Sequence, residues 1–283
     1  MAIVKSIFIS IYVAFIGFAA SFTVFTFLNN DDSVYWFSSA LSTAIPAFYF
    51  IYVTTKKPSD VQLLKMLVLP MVGAAMLISL GKLYFDGEEL TLPARLAMIS
   101  FFGWLLYDMW YAKLPAAPKE MKSDVNLWSF HDAAGNEVVP SKGSTKLRMF
   151  VFIRGSWSPF CMAQLRDIGK EFDSIHAMGA QVNFVTHKAD KFIVSAIEKL
   201  NPKINLLEDK NLLVSTQIGV AHKSATPIGL QLFGYESSEI RPAVVIANEK
   251  GEILLTHFPK DYRNRPEPLW FLRLITEYAS KTA

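Results

Sequence analysis

The sequence predicts a bundle of four membrane helices followed by an α/β domain. Three observations predict it. Apolar residues make up 52% of the 283 and charged residues only 19%, too apolar a balance for an ordinary soluble chain. The apolar excess fills the first 114 residues and leaves a remainder of globular composition. From about Val125 onward, strand-patterned and helix-patterned segments alternate, as α/β domains require.

The first apolar run, Ser6 to Leu28, carries no charge. At about 1.5 Å per residue it is long enough to cross a bilayer. It exceeds the apolar core of a signal peptide, and no small-residue cleavage site follows it. The second run, Ser33 to Thr55, is also uncharged, with Tyr35 and Trp36 near one end and Tyr49 and Tyr52 near the other, where interfacial aromatics belong. Pro46 within it is tolerable in a membrane helix. The third run covers Val61 to Phe85, with Lys65 and Lys82 near its ends to snorkel outward. The fourth, Leu92 to Leu114, begins near Arg95 and ends among Trp104, Tyr107, Asp108, Trp110 and Tyr111. An acid inside a bilayer is functional by default, but Asp108 lies close to the end of its run and reads as an interfacial group. Anchoring is the role expected of this half.

Lysines and arginines set the orientation. Asn29-Asn30-Asp31-Asp32 has no positive charge, and the third connection is acidic through Asp86, Glu88 and Glu89, although Lys82 and Arg95 flank it. Lys5, the Lys56/Lys57/Lys65 connection and Lys113, Lys119 and Lys122 lie on the other side. Both termini are therefore expected in the cytoplasm, with the chain in a bacterial inner membrane. A net charge of +3 without a basic, aromatic-interleaved stripe excludes a nucleic-acid binder. One cysteine excludes an intramolecular disulfide and a cysteine metal cluster, and a lone thiol suits a reducing compartment.

Residues 1–114 are thus the membrane region. Residues 115–124, opening Pro115-Ala116-Ala117-Pro118-Lys119-Glu120, form a semi-rigid tether, and 125–283 form the second domain. There, Leu127 to Phe130 and Glu137 to Pro140 flank a turn at Asp132 to Asn136, a hairpin signature. Leu147 to Arg154 reads as a buried central strand. One helix is expected from near Cys161, with Leu165, Ile168, Phe172 and Ile175 on a single face. Gln181 to His187 is a strand, Ala189 to Leu200 a helix, Ile204 to Leu207 a strand and Lys210 to Ile218 a short helix. Pro242 to Ala247 and Glu252 to His257 form a hairpin, and Pro266 to Ala279 a closing helix. Val220 to Glu239 is expected as a long loop beside the site, in the place of a lid. This order is thioredoxin-like.

The informative stretch runs from Arg154 through Gly155, Ser156, Trp157, Ser158, Pro159 and Phe160 to Cys161 and on to Leu165. A strand ends, a tight turn follows, and the cysteine opens a helix. Helix N-terminal N–H groups and the helix dipole favour negative charge, which lowers the thiol pKa and populates the nucleophile. Ser158, three residues earlier, is placed to donate to the sulfur or to a bound peroxide, and Arg154 brings positive charge. Trp157 and Phe160 are expected in the pocket wall. His187 follows a strand whose end lies on the active-site edge and reads as a surface residue, with a role as base the lesser alternative, and His131, His176, His222 and His257 show no metal-ligand spacing.

These residues resemble the Arg-Gly-x-Trp-Cys-Pro-Tyr-Cys-x-x-Gln-Leu motif of peroxiredoxin-like proteins, the alkyl hydroperoxide reductase and thiol-specific antioxidant group of the thioredoxin superfamily. Arg241-Pro242-Ala243-Val244-Val245-Ile246 followed by Gly251-Glu252-Ile253 is similar to a second motif of that group, and Asp261 to Pro268 to a third. The resemblance runs from about Asn126 to the C-terminus. It departs at Ser158, which stands where the first cysteine of a Cys-x-x-Cys pair would be and so excludes dithiol exchange within one chain. It departs again at Arg154, where true peroxiredoxins have a proline.

The resemblance implies that Cys161 is the peroxidatic nucleophile and Ser158 its partner, and that Arg241 is the catalytic arginine reaching the thiolate. It also implies that Pro242 is the cis-proline facing the cysteine and that Arg154, Trp157, Pro159 and Phe160 shape the pocket. The thiolate would become a sulfenic acid, with no metal and no bound cofactor. The partners implied are a hydroperoxide substrate, an external thiol or thioredoxin-like reductant, and the lipid bilayer. Two other readings remain open: an oxidoreductase working through mixed disulfides, and a degenerate redoxin scaffold or sensor without peroxidase activity.

Overall fold

The computed structural model describes residues 2–29, 33–85, 89–116, 118, 123–140 and 146–282. Asn30, Asp31, Asp32, Asp86, Glu88, Ala117, Lys119, Glu120 and Lys122, named above for orientation and tether, lie outside the described residues. The chain forms two compact units, Ile3–Lys113 with Pro227–Gly229, and Leu114–Thr226 with Leu230–Ala283.

The helical unit contains α1 (Ala2–Asn29), α2 (Ser33–Lys56), α3 (Gln62–Ser79), the short α4 (Gly81–Phe85) and α5 (Leu92–Leu106). Among the described residues three helices, Ala2–Asn29, Val34–Lys56 and Gln62–Ser79, are long and apolar enough to cross a membrane. The third expected run is interrupted at Leu80, between α3 and α4. The fourth is a 15-residue α-helix that widens into a π turn at Tyr107–Tyr111, where Asp108 sits half-buried.

Along α1 the buried residues Ser6, Ile9, Tyr12, Ile16, Ala19 and Thr23 recur at helical spacing and make one inward stripe. The outward face is apolar as well: Phe18 is 70% exposed and Phe25 68%, a band suited to lipid rather than water. Between helices, small hydroxyl residues supply the polar contacts. Thr23 meets Thr43 at 2.9 Å, Ser38 meets Ser79 at 2.7 Å, and Ser100 Oγ donates to the Ser42 carbonyl at 2.6 Å. Tyr12 donates to the Ser100 carbonyl at 3.0 Å, with its ring laid against Gly103 so closely that a Cβ there would collide with it. Lys5 Nζ donates to the Trp110 and Lys113 carbonyls at 2.5 and 2.6 Å, satisfying acceptors that a helix end leaves open.

The second unit is built on a seven-stranded mixed sheet of order β2-β1-β5-β4-β3-β8-β9. Its strands are β1 (Phe130–His131), β2 (Glu137–Val138), β3 (Leu147–Phe152), β4 (Ala180–Thr186), β5 (Asn205–Glu208), β8 (Ala243–Asn248) and β9 (Ile253–His257). β3, β4 and β5 are parallel, and β8 and β9 return antiparallel beside β3. β6 (Ala221–His222) and β7 (Glu239–Ile240) form a separate antiparallel pair.

Alternation along β3 divides the core. Leu147, Met149, Val151 and Ile153 join one apolar cluster, with Cys161, Leu165, Ile168, Phe172, Ile193 and Phe271. Phe150 and Phe152 join the other, with Trp128, Phe130, Leu212 and Val220. Each such side chain contributes roughly 1.5–3 kcal/mol on full burial, so a one-residue slip of this strand would exchange both sets. The first cluster is covered by α6 (Pro159–Lys170), α7 (Phe172–Ala177), α8 (Lys191–Leu200) and α10 (Pro268–Thr282), and α9 (Leu213–Gln217) contributes Val214 to the second.

The single helix expected after Cys161 is two. Glu171, at φ −93° and ψ 5°, separates α6 from α7, and both still turn their apolar residues to one cluster. The helix expected over Lys210–Ile218 is likewise broken, because Asn211 and Leu212 adopt positive φ.

Candidate functional site

The site is assembled where β3 ends. Ile153 continues the pairing with β4 through its N–H to Val185, and Gly155 turns the chain at φ +134°. A Cβ at Gly155 would lie 3.3 Å from the Trp157 ring, so conformation and space both call for glycine. The Ser158 N–H closes the turn on the Gly155 carbonyl at 3.2 Å. Ser158, with extended φ and ψ, is the N-cap residue of α6, and Pro159 occupies its first position, where a missing N–H costs nothing. Cys161 is the third helical residue, its N–H bonded to the Ser158 carbonyl at 3.1 Å.

Three donors converge on the Cys161 sulfur. The Arg154 N–H reaches it at 3.4 Å and Arg265 Nη2 at 3.5 Å. The Ser158 hydroxyl does not cap the helix; it bonds the sulfur instead. The residue is fully buried. Burial pushes the thiol up, but the Arg265 charge, the Ser158 hydroxyl and the two N–H donors outweigh it and hold the thiol below its ordinary value. Position in the first helical turn acts in the same sense.

The Arg154 side chain serves a different partner. Its Nε donates to Glu239 Oε1 at 2.8 Å, both side chains being at most 5% exposed. The guanidinium packs 4.4 Å from the Trp157 ring centroid and 5.1 Å from that of Tyr262, within cation–π range. Burial pushes the Glu239 carboxyl up, only partly opposed by Arg154 and Arg265. Phe160 packs edge-on against Tyr262 at 5.7 Å.

Two expectations are corrected. Arg241 is not at the sulfur: its Nη1 and Nη2 donate to the Ala116 and Pro259 carbonyls at 2.8 and 3.2 Å, and its guanidinium lies 5.7 Å from the Phe258 ring. The cause is strand parity. Arg241 shares the alternation of Ala243 and Val245, which face the second cluster, while Cys161 belongs to the first. Pro242 is not a cis-proline; no cis peptide occurs among the described residues, and trans is the ordinary state of an X–Pro bond.

Sequence reasoning missed Arg265, Glu239 and Tyr262. Arg265 and Tyr262 lie in the Asp261–Pro268 stretch singled out by its motif, without a signal for which residue turns inward. That stretch is held by Arg263, whose Nε and Nη2 grip the Asp261 carboxylate at 2.9 and 2.7 Å. His187, expected at the surface, is buried; its Nδ1 contacts the Asp209 carbonyl at 3.2 Å and its Nε2 the Glu236 carboxylate at 2.9 Å.

The β6–β7 loop borders the turn. Tyr235 donates to Asp190 Oδ2 at 2.9 Å, and its hydroxyl meets Ser156 Oγ at 2.7 Å. A cavity of about 10 Å³ lies between Arg154, Trp157, His187, Thr226, Tyr235 and Glu239, room for no more than about one water. A cavity of about 620 Å³ lies elsewhere, among Val138, Asn183, Ile197, Asn205 and Leu207; it is larger but holds no nucleophile.

A family model described as Redoxin matches residues 113–268. No curated protein matches the chain. Solved structures similar to it include Xanthomonas campestris peroxiredoxin Q, 13% identical over 58% of this chain and 99% of that one, at TM-score 0.44. Enterococcus faecalis AhpC is 18% identical over 55% and 92%, at 0.43. Peroxiredoxin 5 from Alvinella pompejana is 12% identical over 56% and 99%, at 0.44. The family match supports a peroxiredoxin-like domain of the thioredoxin superfamily with thiol-dependent peroxidase or oxidoreductase activity. The family match spans more than half of the 283 residues and takes in the whole strand–turn–helix around Cys161, and by that match the chain belongs to the redoxin family.

Proposed function

We propose that this chain is a membrane-anchored peroxidase that reduces hydroperoxides through Cys161 alone. The observation that carries the reading is the convergence of Arg154 N–H, Arg265 Nη2 and the Ser158 hydroxyl on one sulfur in the first turn of a helix. The thiolate attacks the distal oxygen of the hydroperoxide. An S–O bond forms as the O–O bond breaks, and the alkoxide leaves and takes up a proton. Cys161 becomes a sulfenic acid. With one cysteine in the chain, an external thiol or thioredoxin-like protein supplies the two electrons that restore it. Arg265 and Ser158 hold the thiolate and meet the charge that develops on the leaving oxygen.

In this reading residues 1–114 anchor the protein through four spans, the fourth being α5 with its π turn. Residues 115–124 tether a cytoplasmic redoxin domain of residues 125–283. Lys5, Lys56, Lys57 and Lys113 support a cytoplasmic location of both termini at a bacterial inner membrane.

The full burial of Cys161 favours a second reading, a redoxin scaffold or sensor whose thiol is inert. Dimedone labelling after hydrogen peroxide separates the two. The peroxidase gives a sulfenic-acid adduct at Cys161, absent in Cys161→Ser. A thiol that yields neither this adduct nor a product with alkylating reagents establishes the scaffold, and a covalent protein partner in non-reducing gels establishes mixed-disulfide exchange.

A further inference from the structure

Residue 154 is an arginine where the resemblance would have a proline, and the difference has a direct consequence. A proline has no N–H, whereas the Arg154 N–H donates to the Cys161 sulfur at 3.4 Å. Sheet pairing holds the chain as far as Ile153, and Arg154 lies just beyond it. The aim of its N–H therefore depends on what holds its side chain.

Three elements hold it. Glu239 of β7 accepts from Nε at 2.8 Å, the Trp157 ring of the turn lies 4.4 Å from the guanidinium, and the Tyr262 ring lies 5.1 Å from it. Tyr262 precedes Arg265 by one short step of chain, and Arg265 Nη2 is the other nitrogen donor on the sulfur, at 3.5 Å. One guanidinium thus braces the segments that carry both nitrogen donors, and all of these residues lie in the second unit.

The pair is costly for a purely structural contact. Both side chains are at most 5% exposed, and apolar residues of similar volume often stabilise such a site as well or better. Besides Arg154, Glu239 faces His222 across the β6–β7 pair at 3.9 Å and feels the charge of Arg265. His187, Lys188, Tyr235 and Glu236 line the small cavity at its side.

We propose that Arg154 and Glu239 are positioning residues for Cys161: their buried pair braces the turn and Tyr262, and so holds the Arg154 N–H and Arg265 on the sulfur. The inference rests on the reading of Cys161 as a thiolate nucleophile. Neither side chain enters the chemistry.

The test follows the ultraviolet absorbance of the thiolate against pH in the detergent-solubilised full chain, with Cys161→Ser as blank, alongside thermal melts. Arg154→Met with Glu239→Met fills the space with apolar atoms and melts near the unmodified protein. Its thiol inflection nevertheless moves to higher pH, with about tenfold less thiolate on the acid limb. Tyr262→Leu keeps the charge pair, removes the ring between it and the Arg265 segment, and moves the inflection the same way by about threefold. Glu239→Gln keeps an acceptor for Arg154 Nε and keeps the native inflection. A native inflection in the folded double variant overturns the proposal, because a structural pair would be fully replaced there. Should the double variant not fold, a native inflection in Tyr262→Leu overturns it. An inflection in Glu239→Gln raised as far as in the double variant also overturns it, since the bond to Arg154 survives that change. An unmodified chain whose thiol is not depressed at all sinks the nucleophile reading and the pair's role together, whereas a depressed thiol indifferent to these variants sinks the pair's role alone.

Discussion

Replacing Arg265 by methionine removes the only full positive charge that hydrogen-bonds the Cys161 sulfur among the described contacts. At the 3.5 Å separation of Nη2 and sulfur, a charge pair is worth about 1.2 kcal/mol in water and about 4.7 kcal/mol at an effective dielectric of 20. Arg265 is half-buried, so water screens it and the lower figure is the safer one. On the acid limb, where thiolate is the minority form, that loss cuts the reactive fraction by about tenfold. The assay is the pH profile of Cys161 alkylation or peroxide oxidation in the detergent-solubilised full chain. The sign is fixed: the thiol is held low in the native protein, so Arg265→Met moves the inflection to higher pH. Arg265→Lys keeps the charge but not the fork and recovers part of the effect. Arg241→Met leaves the acid limb in place, because its guanidinium is spent on the Ala116 and Pro259 carbonyls. An unmoved profile in Arg265→Met, or a moved one in Arg241→Met, would refute the assignment.

Glu239→Ala strands the buried Arg154 guanidinium and lowers thermal stability by about 3–5 kcal/mol, most of it regained in Arg154→Met with Glu239→Met; thermal melts of the four proteins check this. Ser158→Ala removes a hydrogen bond to the sulfur worth roughly 1.5–3 kcal/mol when the partner is charged, so peroxide oxidation slows about tenfold to a hundredfold while the melting temperature hardly changes. Ser158→Cys places a second thiol within reach of the sulfenic acid, so one equivalent of peroxide gives an intramolecular disulfide by mass spectrometry and dimedone labelling disappears. Because the thiol is lower in the folded than in the unfolded chain, Cys161 adds stability that grows as pH rises through its folded pKa, is complete above about 8.5, and is lost as pH falls; melts of Cys161→Ser lack that increment.

Much of this was legible from residue order because the deciding forces are local. The run Leu147–Arg154, apolar apart from its two arginines, fits a strand buried on both faces, and it occupies the middle of the sheet. Cys161 at a strand-to-helix turn followed from Gly155, Pro159 and the periodicity after it. The break at Glu171 left no trace because α6 and α7 keep the same inward face. Arg241 was assigned by proximity to Pro242, although the alternation of Ala243, Val244, Val245 and Ile246 already turns odd positions away from the cysteine's side. Arg265 was hidden for the opposite reason: after β9 the chain has no period, and its course is set by the Asp261–Arg263 pair, a tertiary fact.

Burial and reactivity pull in opposite directions at Cys161, and magnitudes decide between them. A cysteine kept only for packing behaves as a small hydrophobe and gains nothing from a guanidinium aimed at it. Bringing a half-buried arginine to a neutral thiol forfeits hydration of a charge for a weak sulfur acceptor. Against a thiolate the same arginine, with the Ser158 hydroxyl and the Arg154 N–H, recovers several kilocalories through charge-assisted bonds. The donor set therefore makes energetic sense around ionised sulfur and little sense around a neutral one. Because Cys161 is fully buried, a hydroperoxide reaches that sulfur only when side chains move. Tyr235 of the β6–β7 loop is tied to that turn through its hydroxyl and that of Ser156, so any opening toward the sulfur works against this contact as well as against packing.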